Sequence, residues 1–216
     1  MLFPAVGYHP HEAKDVSRAQ LLELESLVAL PEVVCVGEIG LDFFRGHSPE
    51  AAQRRLLDAQ LEIAVRTGKP VSVHSRGAEG AIYDHLAGYS TARHWRPGER
   101  AIGIMHCFGG TTEQASAYIA LGFHISFACP VTYPANHEAR KMALELPLES
   151  IVVETDGPYL PPQPFRGQRN EPAHVRYAVE AIAAARAVSV TTVAEATTRN
   201  AAQLFGVRLP ARAAAW

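Results

Sequence analysis

The stretch Val33-Val34-Cys35-Val36-Gly37-Glu38 is a short apolar run that closes on one carboxylate. The same pattern recurs at residues 70–73, 101–105 and 151–155, and the side chains that follow those runs can all bind a metal: His74, His106 and Asp156. Continuous apolar runs of this length are typical of buried strands in a parallel sheet. The carboxyl ends of the strands of a β/α barrel converge on one face. The pattern therefore predicts a metal site on such a face.

Apolar runs alternate with amphipathic stretches along the whole chain, as expected for βα units on a parallel sheet. Six strands are predicted, at residues 2–7, 33–38, 71–75, 102–106, 123–127 and 151–155. Ser17 is predicted to cap the first helix, and Ser48-Pro49 to start a long helix that stops at Gly68. Further helices are predicted near 79–86, 112–121 and 136–146, and from Pro172 onward. Residues 88–100 and 159–169 are predicted to be loops.

The predicted fold class is α/β, a TIM-type (β/α) barrel formed as one domain over residues 1–216. A closed barrel of this type has eight strands and usually about 250 residues. Six predicted strands in 216 residues indicate about six of the eight βα units. The sheet is then either open, or two units are missing from its front.

The bulk composition is that of a globular protein with a net charge of −2 and 19% charged residues. This near-neutral balance lacks the basic footprint of a tight duplex-binding protein. The sequence contains no run of about 18 apolar residues, so it predicts no membrane span. Three widely spaced cysteines argue against a disulfide framework. We expect a cytoplasmic protein with no membrane association, and no obligate protein partner is readable.

Each candidate ligand also has an ordinary structural explanation. A glutamate such as Glu38 commonly forms a salt bridge or caps a helix, and a lone histidine such as His74 or His106 is as often part of the core. Asp156 precedes Gly-Pro, where aspartate often forms a turn. Gly37 and Gly40 would let backbone and ligand come close beside Glu38. The coincidence of four such side chains at the same ends of successive strands favours a metal site.

His9-Pro10-His11 ends the first predicted strand, and three uses of this pair stay open. The rigid proline could place both imidazoles on one side as a two-histidine metal clip. The pair could instead contact a substrate phosphate, or lie in a surface loop. Four further cationic or imidazole side chains could meet an anionic substrate or simply lie at the surface: Arg76, His124, His137 and Arg166.

Several ordered motifs resemble the TatD family of metal-dependent deoxyribonucleases, which are amidohydrolase-like TIM barrels. The matching stretches extend from residue 5 to about residue 207: Val6-Gly7-Tyr8-His9-Pro10-His11, residues 36–42, 70–76, 106–110, 153–160 and 166–172, Ala196-Thr197-Thr198-Arg199-Asn200 and Leu204-Phe205-Gly206. Family members normally begin with a strand that bears H-x-H, followed by a second βα unit. This sequence starts at what resembles the third strand, which leads to two expectations: an upstream start, or a truncated form with an open sheet edge.

The resemblance implies specific roles. Glu38 would be shared by two divalent ions, and His74 and His106 would complete one of the two sites. Asp156 would belong to the other site and orient or deprotonate the attacking water. By the same comparison, His9, His11 and Arg76 would contact the substrate phosphate rather than the metal.

The expected function is divalent-metal-dependent hydrolysis of DNA phosphodiester bonds, acting as an exonuclease from strand ends. One or two ions, Mg, Mn or Zn, are the expected cofactors, and DNA or a nucleotide phosphodiester is the expected partner. Two alternatives stay open. One is hydrolysis of an amide or ester bond in a small metabolite or an aminoacyl-tRNA, since fold does not fix function. The other is a non-catalytic truncated barrel.

Overall fold

The computed structural model describes residues 2–208 of the chain. Six strands alternate with seven α-helices in these residues, which makes the architecture α/β. The strands are β1 (Ala5–Val6), β2 (Cys35–Asp42), β3 (Val71–Arg76), β4 (Gly103–Met105), β5 (Phe123–Phe127) and β6 (Ile151–Val153). The helices are α1 (Arg18–Val28), α2 (Glu50–Thr67), α3 (Glu79–Ala92), α4 (Thr112–Ala120), α5 (His137–Glu145), α6 (Val175–Arg186) and α7 (Val190–Phe205).

Packing divides the described chain into two compact units. The first unit holds residues 2–106, 120–123 and 204–207, and the second holds residues 107–119, 124–203 and 208. Strands β1 to β4 lie in the first unit, side by side in chain order and all parallel. In the second unit β5 pairs with β6, also parallel. The expectation of one domain over residues 1–216, and the number of missing barrel units, stay predictions.

Strand β2 is longer than predicted and carries an irregularity at its centre. Its pairing with β3 shifts between Val36, which faces Val71, and Ile39, which faces Val73. Between these two pairs the chain advances three residues along β2 but two along β3. Strand β2 therefore contains one extra residue at this point. Such a bulge re-aims side chains, and bulges are frequent next to active sites. Glu38 lies in this bulge.

The predicted start of α2 is wrong in one detail. Ser48 does not cap this helix, which begins at Glu50 without a side-chain cap. Ser48 is buried and instead donates from Oγ to the carbonyl oxygen of His11 at 2.6 Å, while it accepts from the backbone N–H of Lys14. The hydroxyl is thereby used to hold the turn that follows β1. The helix ends as predicted at Gly68, whose φ of 72° lies in the left-handed region.

The start of the predicted 88–100 loop is also wrong, because α3 continues to Ala92. Tyr89 is buried there, and Arg93 donates from its guanidinium to the carbonyl oxygens of Lys69 and Gly68 at 2.8 and 3.0 Å. These tertiary contacts stabilise one more helical turn than the Gly88 position suggests. Tertiary packing commonly overrides local propensity in this way.

Two smaller predictions are confirmed. Ser17 and Gln20 form a reciprocal capping box at the start of α1. Cys35, Cys107 and Cys129 form no disulfide.

No single helix among residues 2–208 has the length and apolar character needed to cross a membrane. The segments Pro172–Arg186 and Val190–Phe205, which are bent relative to each other, meet these criteria of length and composition only when they are taken together.

Candidate metal centre

Three predicted site residues come together in the first unit. His9, Glu38 and His74 each offer one ligand atom, and these atoms all lie within 4.8 Å of one another. The Nδ1 atom of His74 lies 2.8 Å from Oε1 of Glu38. The Nε2 atoms of His9 and His106 both lie 3.9 Å from the same oxygen. One carboxylate oxygen therefore faces three imidazoles.

The strands place these groups in different ways. His74 is the fourth residue of β3, and His106 directly follows β4, where its N–H donates to the carbonyl oxygen of Val73 at 2.8 Å. Glu38 was predicted to end its strand, but β2 continues four residues beyond it to Asp42. The bulge, rather than the strand end, accounts for its place in the cluster.

Asp42 is a member of the site that our sequence analysis missed. Its side chain is 1% exposed, and its Oδ2 lies 2.8 Å from Nε2 of His11 and 3.3 Å from Nε2 of His74. Its Oδ1 accepts from the backbone N–H of Arg45 at 2.8 Å. His11 therefore contacts Asp42 through Nε2, and it also contacts His9 of the three-residue cluster, with the two ring centroids 4.2 Å apart. The available signal was spacing, because Asp42 follows Glu38 by an even number of residues in an apolar strand.

Two buried glutamines of α2 hold the segments that carry the site. Gln60 accepts from the N–H of Tyr8 at 2.7 Å and donates to its carbonyl oxygen at 3.0 Å. Gln53 likewise accepts from the backbone N–H of Asp42 at 2.8 Å and donates to its carbonyl oxygen at 3.0 Å. The two glutamines lie seven residues apart, two turns along one face of the helix. Helix α2 thus fixes the positions of the residue before His9 and of Asp42.

Gly40 has a different function from the one its place beside Glu38 suggests. A Cβ at this residue would lie 2.0 Å from the carbonyl oxygen of His74, and its φ is +143°. The close approach is therefore between the backbones of β2 and β3, not between backbone and ligand. It lets the two strands that carry Glu38 and His74 lie against each other.

The cluster has its own electrostatic balance. Burial lowers the pKa of the His9 imidazole to about 4, and the neighbouring His74 adds to this effect. Burial alone would raise the pKa of Glu38, but the hydrogen bond with His74 and the charge of His106 outweigh it, so that this pKa lies below its usual value. A neutral imidazole and an ionised carboxylate are the forms that bind metals.

The donor set fits a divalent cation. Two imidazoles and one carboxylate at this spacing are suitable ligands for zinc and for other first-row divalent ions. Asp42 would then orient the ring of His74 from its other nitrogen, as carboxylates commonly do for metal-binding histidines. The predicted ligands Glu38 and His74 form this group together with His9, which the resemblance assigned to the substrate phosphate, and His106 approaches the group through Glu38.

Asp156, the fourth predicted ligand, lies in the second unit, three residues after β6. Its φ of 57° is in the left-handed region, which aspartate tolerates better than most residues. Asn170, which is 2% exposed, holds its loop by donating from Nδ2 to the carbonyl oxygens of Thr155 and Tyr159, both at 2.6 Å. Asn170 is therefore a further positioning residue that we did not predict.

The four open candidates for anion binding differ in their surroundings. Arg76 is exposed at the end of β3, with its Cζ 4.4 Å from the centre of the Phe44 ring. The other three lie in the second unit. Burial lowers the pKa of His124, His137 contacts the guanidinium of Arg140 at 3.0 Å, and the Arg166 guanidinium lies 4.3 Å from the centre of the Tyr133 ring.

A separate open groove of about 610 Å³ lies between α2 and α3. Its lining includes Leu61, Val65 and Tyr89 together with the pair Asp58 and His85. It shares no residue with the metal cluster, so its size does not make it the candidate site.

Comparison with known proteins gives one consistent result. The family profile described as TatD related DNase matches residues 1–206. An uncharacterized metal-dependent hydrolase of Bacillus subtilis, YabD, is 34% identical, with 95% of this chain and 78% of the relative covered. The protein of Edwardsiella piscicida named 3′-5′ ssDNA/RNA exonuclease TatD is 35% identical, and the match covers 92% of this chain and 76% of that protein. The crystal structure of YjjV from Escherichia coli has a TM-score of 0.87 at 32% identity, and the match covers 96% of this chain and 78% of YjjV.

Parallel strands, intervening helices and a histidine–carboxylate cluster define the class, a metal-dependent hydrolase with an α/β fold consistent with a TIM-type barrel. More particularly, the chain belongs to the TatD related DNase family. It spans about three quarters of the length of these relatives.

Proposed function

We propose that this chain is a metal-dependent phosphodiesterase that removes nucleotides from the ends of single-stranded DNA. The observation that carries the proposal is the grouping of His9, Glu38 and His74 within 4.8 Å. Two facts support the choice of bond: the relative from Edwardsiella piscicida is named a 3′-5′ ssDNA/RNA exonuclease, and the exposed cation Arg76 follows His74 by two residues in β3.

In this proposal the cation is held by His9, Glu38 and His74, with His106 beside Glu38. When bound, a divalent cation supplies Lewis-acid polarisation of a phosphoryl oxygen and lowers the pKa of a nearby water. Asp42 keeps His74 and His11 in position. This arrangement favours the metal-clip interpretation for His9, whereas His11 and Arg76 keep their proposed contact with the substrate phosphate. Asp156 remains the proposed base for the attacking water.

The test measures metal content by elemental analysis and hydrolysis of end-labelled single-stranded DNA on the same samples. The double variant His74→Ala, His106→Ala should lose both bound metal and hydrolysis. His85→Ala is the matched control, since His85 belongs to the same unit but pairs with Asp58 outside the cluster. Full hydrolysis by the double variant, in preparations free of other nucleases, would contradict the proposal.

A substrate panel separates the proposal from the alternative chemistry. Amide, ester and aminoacyl-tRNA substrates should show no turnover under conditions in which the phosphodiester is cleaved. Turnover of those substrates without phosphodiester cleavage would assign the same metal chemistry to a different bond.

A further inference from the structure

Phe44 is an exposed aromatic residue, the second residue after the strand that carries Glu38 and Asp42. Its side chain is 68% exposed, although an isolated phenylalanine gains from burial. The preceding Phe43 is only partly exposed and lies 5.2 Å from the guanidinium of Arg54 on α2. The chain thus turns one of two consecutive phenylalanines toward α2 and the other toward solvent.

Arg76 and Phe44 are in contact at the carboxyl ends of β3 and β2, the two strands that carry His74 and Glu38. The guanidinium carbon of Arg76 lies 4.4 Å from the centre of the Phe44 ring, a cation–π contact. The carbonyl oxygen of Arg76 also accepts from the N–H of Phe43 at 3.0 Å. Gly77, with a φ of +63°, abuts Phe44, since a Cβ there would lie 3.5 Å from its nitrogen. The ring is therefore placed by its neighbours although it is largely uncovered.

The direction of β3 connects this pair with the metal centre. Side chains two residues apart on a strand project from the same face, so Arg76 lies on the face of His74, roughly 7 Å further along the strand. Asp42, the residue that contacts His74, is the register partner of Arg76 on β2. A substrate held at the cluster and extending along these strands reaches Arg76 and then Phe44.

The charge around the ring suits an anionic ligand. Arg45, His47 and Arg76 are all exposed in the two segments that flank Phe44. Two acidic groups lie close in sequence: Asp42 is buried against His11 and His74, and Glu79 accepts from the N–H of Gly77 at 3.0 Å. Aromatic rings that alternate with cations are the usual means of binding single-stranded nucleic acid, because every base has a face that can stack and every nucleotide has a phosphate.

We propose that Phe44 and Arg76 form a nucleobase subsite beside the metal centre, in which one base stacks on the Phe44 ring while Arg76 contacts the adjoining phosphate. This inference rests on the proposed function for its substrate class and adds the residues that distinguish a nucleotide from a bare phosphodiester. It makes Phe44 a binding residue that prefers base-bearing substrates without regard to sequence.

The test compares two fluorescent probes, a short oligothymidylate and an abasic oligomer with the same phosphate backbone. Binding is measured by fluorescence anisotropy in EDTA, so that neither probe is cleaved. The wild-type protein should bind the base-bearing probe about tenfold more tightly, the effect of roughly one base–aromatic stack. Phe44→Leu should remove this preference, and Phe44→Trp should retain it.

Phe3→Leu is the matched control, since Phe3 is also an exposed phenylalanine but lies before β1. It should leave the preference unchanged. Arg76→Gln should weaken the binding of both probes, because both carry phosphates. The same preference in Phe44→Leu as in the wild type would overturn the proposal, as would equal wild-type affinity for the two probes.

Hydrolysis of the abasic probe with added Mn²⁺ tests the proposed function separately. Cleavage of that probe with no base preference would leave the function standing and overturn the subsite. A base preference in binding without cleavage of either probe would support the subsite and contradict the function. No wild-type binding of either probe in EDTA would overturn the subsite, and no cleavage of either probe with Mn²⁺ would contradict the function.

Discussion

The Nε2 atom of His74 lies 3.3 Å from Oδ2 of the buried Asp42, while its Nδ1 atom lies 2.8 Å from Glu38. One imidazole is thus held between two carboxylates that come from the same strand. Glu38 belongs to the metal cluster, whereas Asp42 contacts the other ring nitrogen of His74. The arrangement resembles a carboxylate–histidine–metal unit, in which the rear carboxylate fixes the orientation of the ring.

Asp42→Asn should lower metal affinity by about tenfold to a hundredfold, because the amide replaces the charge that orients His74 and His11. Calorimetric titration with Zn²⁺ or Mn²⁺ measures this. Asp58→Asn is the control, since Asp58 contacts His85 outside the cluster. Equal metal affinity of Asp42→Asn and the wild type would show that Asp42 has only a structural function.

Gln60→Leu should destabilise the protein by about 2 kcal/mol, because it leaves the N–H and the carbonyl oxygen of Tyr8 without their partners. It should also weaken metal binding, since Tyr8 precedes His9. Urea unfolding and metal titration measure the two effects. Gln114→Leu serves for comparison, because Gln114 accepts from the N–H of Thr111 in an exposed turn. A stable Gln60→Leu protein with normal metal affinity would rule out the positioning function of α2.

Gly40→Ala should destabilise the protein by several kcal/mol, well above the typical single substitution of about 1 kcal/mol. The added Cβ meets the carbonyl oxygen of His74 at 2.0 Å, at a φ of +143° that alanine rarely adopts. Gly88→Ala should instead stabilise by up to about 1 kcal/mol, since Gly88 lies inside α3 with nothing within 4 Å of its Cβ position. Thermal unfolding of both variants tests this opposite pair of signs.

Asn170→Asp should release the loop that carries Asp156. The carboxylate cannot donate to the carbonyl oxygens of Thr155 and Tyr159, and it places negative charge against them. Hydrogen exchange over residues 155–160 should rise. Asn136→Ala removes an N-cap of α5, which costs about 1 kcal/mol, and should raise exchange in α5 instead. Unchanged exchange at 155–160 in Asn170→Asp would contradict this prediction.

Cys35 should be unreactive and should make the protein less stable in alkali. Burial raises the pKa of its thiol to about 12, so that the folded state resists ionisation. The unfolded thiol has a pKa of about 8.5. The unfolded state therefore loses a proton first, and stability falls as pH rises above about 8.5, by roughly 1–2 kcal/mol at pH 10.

Urea unfolding between pH 8 and pH 10 measures this loss, and Cys35→Ala should show a smaller one. In the native wild-type protein, iodoacetamide at pH 8 should leave Cys35 unmodified, and modification should follow only after denaturation. Rapid alkylation of native Cys35 would show that the thiol is accessible.

The order of elements and most of the candidate ligands follow from the sequence by itself. Continuous apolar runs at 33–37, 70–73 and 101–105 indicate buried strands, because only a strand covered on both faces is apolar throughout. The metal-binding side chains after these runs point to one end of the sheet. Local patterns carry this information, since it needs no knowledge of which distant residues come into contact.

Only the tertiary structure decided how the site is held. The glutamines at 53 and 60 have their partners on other elements of the chain, so no local pattern marks them. The even spacing of Asp42 from Glu38 does not show that Asp42 contacts His11 and His74. The bulge at Glu38 depends on the register between two strands, and register is set by pairing and burial rather than by either strand alone. The sequence by itself therefore determined which groups can bind a metal. The fold decided which of them meet, because long-range backbone contacts set their positions.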